Sequence, residues 1–140
     1  MCKHITLVLP NRPGEFHAST KILVAESVNI LGFALHSEGR AGFLNLLCSP
    51  HDKAFSALSL VYKQFCVERE VLVVKADHHV GSLKAILALI EEAAINLPTS
   101  YMAMTKEGSS SLVLEIRNER DRTRTRDLLR EAGHELLNSI

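Results

Sequence analysis

The sequence predicts an α+β fold in which one small unit of order βαββαβ occurs twice. Short apolar runs alternate with segments whose apolar residues recur at helical spacing, and a turn motif recurs at a constant interval. Gly81 follows Gly14 by 67 residues, and Asn96 follows Asn29 by the same interval. Because no linker rich in Ser, Pro or Gly separates the copies, we expect them to bury their apolar faces against one another.

The first copy, residues 1–69, contains strands predicted from short runs of Val, Ile and Leu with turn-forming residues on either side. These strands are Ile5–Leu9, Val28–His36, Phe43–Cys48 and a closing strand within Val67–Val74. The first strand ends at Pro10, where continued pairing would lose an amide donor. Helices are predicted after Asn11–Gly14 and after Pro50, because apolar side chains recur there at helical spacing.

The second copy, residues 70–140, takes its opening strand from the same Val67–Val74 run and restarts the turn at Asp77–Gly81. Its first helix has an apolar stripe that includes Leu83, Ile86, Leu87 and Ile90. The remaining predicted elements are the strand Tyr101–Met104, a hairpin through residues 106–109, the strand Leu112–Ile116, a helix capped by Asn118 that ends near Gly133, and a final strand within Glu135–Ile140.

The composition excludes several classes of protein. With 140 residues, 16 basic and 16 acidic side chains, the chain has no net cationic field that would attract nucleic acid. No run reaches the ~18–20 apolar residues of a membrane span, and no basic region precedes an apolar one at the N-terminus. We therefore expect a cytoplasmic protein that binds neither nucleic acid nor membrane. Cys2, Cys48 and Cys66 form an odd set without CxxC spacing, which favours reduced thiols in the core.

One segment resembles a known family. The run Leu9–Phe16, LPNRPGEF, joins a strand to a helix through an Asn and a Pro-Gly pair, and Val28–Ile30 opens the next strand with Asn-Ile. In pattern, order and spacing these residues resemble the ACT domain, a ferredoxin-like βαββαβ module that binds amino acids and other small effectors. The whole chain is similar to a tandem ACT pair with no fused catalytic domain. The resemblance implies antiparallel sheets with helices packed on one face, and allosteric regulation by a small effector.

The chemistry of this turn is that of a receptor for a small zwitterion. A Gly just inside a helix N-terminus lets a ligand approach the backbone, and the free amides and the helix dipole favour an anion such as an α-carboxylate. Asn11 can cap the helix or accept an ammonium N–H, and Pro13 pre-sets the first helical turn. The alternative is that the tetrapeptide only turns a strand into a helix, and that Asn29 is only a cap or turn residue.

The expected ligand-binding residues come from this turn and from the resemblance. In the family the turn of one unit usually faces the second strand of a neighbour, which implies a ligand at a unit–unit interface. The residues expected to bind are Asn11, Arg12, Pro13, Gly14, Asn29, Ile30 and Leu31, with Gly32 and Phe33 extending the same wall. A weaker second site is expected at His78, His79, Val80, Gly81 and Asn96, where His and Val replace the Asx, basic and Pro residues of the pattern.

Residues that could perform catalysis lack the required spacing. The seven His show no HxH or HxxxH pairing that would place two metal ligands on one face, so no metal is expected. No nucleophile elbow, catalytic-Cys motif, P-loop or complete GxGxxG is present, so neither an enzyme nor a bound cofactor is expected. The arginines of the last helix are expected to spread round a solvated surface among nearly as many acids, and the alternative is that they form a contact for an anionic partner; they are Arg120, Arg122, Arg124, Arg126 and Arg130.

The sequence therefore predicts a non-catalytic regulatory protein that senses an amino acid. A homodimer is expected, because the resemblance implies one and because exposed edge strands favour pairing. The alternative is a ligand-free module for oligomerisation or interaction that regulates a metabolic enzyme in trans.

Overall fold

The computed structural model describes residues 1–77, 79–105 and 109–140. Within these residues the chain forms six strands and four α-helices. The strands are β1 (Cys2–Pro10), β2 (Asn29–Glu38), β3 (Ala41–Ser49), β4 (Cys66–Lys75), β5 (Thr99–Met104) and β6 (Ser110–Glu115). The helices are α1 (Glu15–Ala25), α2 (His51–Tyr62), α3 (Ser82–Glu92) and α4 (Glu119–Glu131), with a 3₁₀ turn at Lys63–Phe65. An α+β fold with antiparallel strand pairing is confirmed.

The chain divides into two compact units. The N-terminal unit is Lys3–Arg69, and the C-terminal unit is Met1–Cys2 together with Glu70–Ile140. The division falls inside β4, so residues 66–69 of this strand belong to the N-terminal unit and residues 70–75 to the C-terminal unit.

The N-terminal unit is built around β3, which lies between β1 and β2 and pairs antiparallel with both. The register of β2 against β3 shifts between Ile30 and Gly32, so Leu31 is the extra residue of a β-bulge. The core of this unit is aliphatic and draws on strands, helices and connections. Its buried residues are Ile5, Leu7, Leu9, Leu23, Val28, Leu44, Leu46, Cys48, Ala54, Leu58 and Cys66.

In the C-terminal unit, β6 lies between β4 and β5 and pairs antiparallel with both. Its core consists of Leu72, Val74, Ile86, Ile90, Leu112, Leu114, Ile116 and Leu129. The final strand predicted within Glu135–Ile140 is reduced to one bridge, between Val74 and Leu136. The segment stops pairing there because the apolar pair Leu136 and Leu137 is followed by exposed polar residues that have nothing to bury.

Each helix in the described chain buries one pair of side chains four residues apart, which is the spacing of one helix face. The pairs are Ser19 and Leu23, Ala54 and Leu58, Ile86 and Ile90, and Thr125 and Leu129. The wider apolar stripe predicted for α3 is wrong for Leu83 and Leu87, which are 44% and 39% exposed. Leu83 and Leu87 lie beside the narrow strip of α3, formed by Ile86 and Ile90, that faces the core.

The 67-residue interval of the sequence reappears in the backbone of α1 and α3. Both helices have 11 residues, and α3 begins and ends 67 residues after α1 begins and ends. Each helix follows a Gly of positive φ, and positive φ recurs just beyond the helices at Ser27 and Ala94, again 67 residues apart. The two helices therefore start and stop in the same way, which a chance likeness of two turn motifs does not explain.

Candidate functional site

The turn before α1 is a type II β-turn. The Glu15 amide donates to the Arg12 carbonyl oxygen over 3.4 Å, so Pro13 and Gly14 occupy the two central positions. Gly14 has φ +87° and ψ −10°, the left-handed conformation that the third turn position requires. The sequence led us to expect Pro13 in the first turn of the helix, but Pro13 lies ahead of the helix. Its fixed φ suits the second position of the β-turn.

The start of α1 exposes backbone amides. The Gly14 carbonyl accepts the first helical hydrogen bond from the Ala18 amide at 2.9 Å, which makes Gly14 the N-cap residue. Glycine has no side chain with which to cap, and no described side chain caps this helix. Because the Glu15 amide already donates to the Arg12 carbonyl, the amides of Phe16 and His17 are the ones left for solvent or for a ligand, with the partial positive charge of the helix end behind them.

Asn11 does not cap α1, so that part of its expected role is wrong. Its amide nitrogen Nδ2 donates to the Gly39 carbonyl at 3.0 Å, and its backbone amide donates to the Arg40 carbonyl at 2.9 Å. Both acceptors belong to the tip of the β2–β3 hairpin. This hairpin lies too far along the chain from Asn11 for a local sequence pattern to indicate the contact. Asn11 ties the turn to this hairpin, and its side-chain carbonyl oxygen remains available as an acceptor.

Arg12 already has a partner. Its guanidinium donates to Glu15 Oε1 at 2.7 Å, three residues along the chain. The Arg12 side chain is 69% exposed, so this ion pair contributes little to stability. It does place a carboxylate beside the helix start, where the helix dipole favours negative charge.

The expected residues of β2 lie at the beginning of that strand. Asn29 is exposed, whereas Ile30 packs against the core and Leu31 occupies the bulge. The contact that joins β2 to the start of α1 is an edge-to-face pair between Phe16 and Phe33, with ring centroids 5.0 Å apart. Phe33 was expected in the wall, but Phe16 was expected only as an apolar residue of the helix. Only the fold shows that the two rings meet.

The second turn repeats the first. The Ser82 amide donates to the His79 carbonyl at 3.3 Å, and Gly81 has φ +89° and ψ −6°. Val80 takes the place of Pro13 and is fully exposed, and no described side chain caps α3. Of the other residues expected here, His78 lies outside the described residues, as does most of the hairpin predicted through residues 106–109. Asn96 is exposed in the connection before β5 instead of opening that strand.

Three elements of the N-terminal unit bring a His, a Glu and a Lys together, which sequence reasoning missed. Glu68 contacts His51 Nε2 at 2.7 Å and Lys3 Nζ at 2.9 Å. The hydrogen bond from His51, and then that from Lys3, hold the pKa of Glu68 below its ordinary value. Nothing in the local sequence indicates this cluster, because its members come from β1, α2 and β4.

The thiols lack the properties of a nucleophile. All three cysteines are free and buried. Burial raises the pKa of Cys48 to about 12, and burial together with the charge of Glu68 raises that of Cys66 to about 11. Such thiols stay protonated at neutral pH and are inert as nucleophiles. Among the described residues, no group of three His, Cys, Asp or Glu side chains is placed to hold a metal ion.

The arginines of α4 spread round the helix as expected, since Arg120 is 88% exposed and Arg124 donates to the Ala93 carbonyl, but three of the five share one side. Arg122, Arg126 and Arg130 recur at four-residue intervals, and they line two clefts on one side of α4. Arg122 is half-buried and donates to Glu70 Oε2 at 2.6 Å and to the Ile116 carbonyl at 2.9 Å. The four-residue spacing is visible in the sequence and could have indicated this row.

Solved structures of other proteins share this fold. The chain matches a protein of Bacteroides thetaiotaomicron with a TM-score of 0.80 at 20% identity, over 97% of this chain and 91% of that one. It matches the regulatory subunit of aspartate kinase from Thermus thermophilus, in its ligand-free form, with a TM-score of 0.66 at 12% identity, over 94% and 93% of the two chains. For the regulatory subunit of aspartate kinase from Thermus flavus the TM-score is 0.61 at 14% identity, over 93% and 91%.

No protein-family model and no curated protein sequence matches the chain. At these low identities the structural likeness shows the fold alone, and this shared fold is consistent with the tandem ACT-like arrangement that the sequence resembles. None of the helices in the described residues has the length and apolarity that a membrane crossing requires.

Proposed function

We propose that this chain is a non-catalytic regulatory protein that binds an amino-acid effector at the turn before α1. In this proposal the chain is a pair of ferredoxin-like ACT domains, residues 1–69 and 70–140, with helices packed on one face of each sheet. It works as a homodimer in the cytoplasm and acts on a metabolic enzyme in trans. Two matched structures of the same fold support the regulatory class, since both are regulatory subunits of aspartate kinase.

The observation that carries the proposal is the repeated positive-φ Gly before an uncapped helix. Gly14 and Gly81 adopt nearly the same backbone conformation, with φ +87° and +89°, and no described atom lies within 4 Å of a Cβ built on either. Packing against neighbouring atoms therefore does not require glycine at either position. A turn that only joins a strand to a helix has no need to leave the first-turn amides open in both units, whereas an anion site does.

The proposed binding mode uses groups that the structure leaves available. The α-carboxylate of the ligand accepts hydrogen bonds from the first-turn amides of α1, and its ammonium group donates to the side-chain oxygen of Asn11. Asn29, Ile30 and Leu31 form the wall on the side of β2. Arg12 is paired with Glu15, and so it orients the turn rather than neutralising the carboxylate. A ligand that binds one arrangement of the assembly more tightly shifts the population toward it.

Calorimetry of the whole chain against the twenty amino acids tests the proposal. We expect at least one to bind with a dissociation constant in the range of about 1 mM or tighter. The amide derivative of the same amino acid should bind at least about tenfold more weakly, because it lacks the carboxylate charge. If no amino acid binds at about 10 mM, the proposal is wrong for this protein.

Gly14→Val and Gly133→Val form a matched pair for locating the site. Gly133 also has positive φ, +89°, and open space around a Cβ, but it lies after α4. Both substitutions impose similar backbone strain, whereas only Gly14→Val places a branched side chain beside the proposed carboxylate site. We expect the two variants to lose similar stability and only Gly14→Val to lose binding. Equal loss of binding in both would place the site elsewhere.

The second candidate function is a ligand-free interaction module. The turn before α3 favours it, because Val80, a fully exposed aliphatic residue, stands where the first turn has Pro13. In sedimentation experiments this alternative predicts that Val80→Asp changes the oligomeric state and that amino acids do not. The effector-binding proposal predicts a response to the bound amino acid that survives Val80→Asp.

A further inference from the structure

We propose that the C-terminal unit has a separate site, beside α4, for a small carboxylate with a short branched aliphatic tail. The site is a cleft of about 120 Å³ between β4, α4, the segment that follows α4 and Met1. It does not involve the turns before α1 and α3, so it stands independently of the proposed effector site.

The floor of the cleft is aliphatic. Val71 and Leu72 of β4 are buried beneath it, and Leu136, Leu137 and the exposed Met1 complete its apolar lining. The volume corresponds to about four water molecules, or to a ligand somewhat smaller than benzene. Water in such a place finds few hydrogen-bond partners on the floor, whereas a short aliphatic tail removes the same surface from solvent.

The rim of the cleft is cationic. Arg126 and Arg130 line it four residues apart, a spacing at which like charges repel. The Arg130 guanidinium donates to Asn138 Oδ1 at 3.4 Å, a neutral partner that orients the group without cancelling its charge. In the part of the chain that the structure describes, no carboxylate lines this cleft. Arg126 contacts Asp127 at 3.4 Å, but that side chain is outside the cleft and 55% exposed.

A neighbouring cleft on α4 differs from the first in the charged residues that line it. That cleft, of about 160 Å³, shares Met1, Leu72 and Arg126 with the first. Its rim also contains Glu70 and Glu119, which balance the charges of Arg122 and Arg126. Of these two clefts, only the first has arginines, Arg126 and Arg130, without an acidic residue in its described lining. A carboxylate there offsets their repulsion, and its tail reaches the aliphatic floor.

Isobutyrate is a suitable probe. Isobutyramide and inorganic phosphate test separately how much its negative charge and its aliphatic tail contribute to binding. In two-dimensional amide NMR of the whole chain, we expect isobutyrate to shift the Leu137 and Asn138 signals saturably, with millimolar affinity. Isobutyramide keeps the tail without the charge, and phosphate keeps the charge without the tail. Each should bind at least about tenfold more weakly than isobutyrate.

Substitutions on α4 locate the site. Arg126→Gln and Arg130→Gln should each weaken isobutyrate binding about tenfold, as expected for loss of one charged hydrogen bond. Arg120→Gln is the matched control: it removes the same charge from the same helix, at a side chain that is 88% exposed and outside both clefts. Amide spectra of the three variants that coincide away from α4 show that the fold is intact.

Several results would overturn the proposal. They are an absence of saturable shifts up to about 50 mM isobutyrate, equal binding by isobutyramide or phosphate, and equal weakening by Arg120→Gln. Shifts confined to the Gly14 and Gly81 turns would assign the carboxylate to the effector site and would likewise overturn it. If amino acids fail to bind while isobutyrate shifts Leu137, the proposed function fails and this inference stands.

Discussion

Replacement of Gly14 by alanine tests the positive-φ turn that begins α1, and the size of its effect follows from the backbone. At φ +87° an L-residue with a Cβ meets its own carbonyl group, which costs about 1–2 kcal/mol. No described atom lies within 4 Å of the added Cβ, so packing adds nothing to this cost. Alanine also restricts the unfolded chain, which offsets roughly 0.4–1 kcal/mol. We expect a net destabilisation of about 1 kcal/mol.

Urea unfolding of the whole chain, followed by circular dichroism, measures this effect. The free energy of unfolding should fall while the m-value stays constant, because the surface exposed on unfolding is unchanged. Gly14→Asn should cost less than Gly14→Ala, since asparagine tolerates the left-handed region. Gly81→Ala, at φ +89°, should match Gly14→Ala.

Gly42→Ala provides the control. Gly42 lies in β3 outside the positive-φ set, and a Cβ there would be 3.6 Å from the Leu9 carbonyl oxygen, an ordinary contact. Its effect should stay within about 0.5 kcal/mol. Two results would contradict this prediction: a Gly14→Ala chain as stable as the parent chain, or a lower free energy of unfolding for Gly14→Asn than for Gly14→Ala. Either would mean that the left-handed turn is not what requires glycine at this position.

Three further predictions concern individual contacts. Because the pKa of Glu68 is lowered in the folded chain, its ionised form stabilises the fold at neutral pH, and this stability is lost as the pH falls below the ordinary pKa of 4.5. In urea unfolding at several pH values, Glu68→Gln should reduce the fall in the free energy of unfolding at acid pH. An unchanged dependence of that free energy on pH would contradict the assigned cause. Cys48, with a pKa of about 12 against an ordinary 9.0, should react with iodoacetamide about a thousandfold more slowly than in urea, and equal rates would show an accessible thiol. Asn11→Ala should lower the free energy of unfolding by about 1 kcal/mol through loss of the bond to Gly39, whereas no change would make that contact dispensable.

The repeated turn is the feature that could be predicted best from sequence. A Gly that needs positive φ, a Pro that fixes the preceding φ and a helix that follows are local properties, because they depend on a few adjacent residues. For the same reason most strands were predicted within a few residues of their bounds, since apolar runs and turn formers determine them locally. The cap expected from Asn11 failed because the Gly39 carbonyl, 28 residues away, competes for that side chain.

The sequence by itself determined the α+β class, the 67-residue repeat and the turns at Gly14 and Gly81. The tertiary structure alone decided which arginines of α4 face a cleft. Arg122 finds its carboxylate in Glu70, 52 residues earlier in the chain. Short-range conformational preferences are encoded in neighbouring residues, whereas the pairing of distant charges depends on which elements the folded chain brings together.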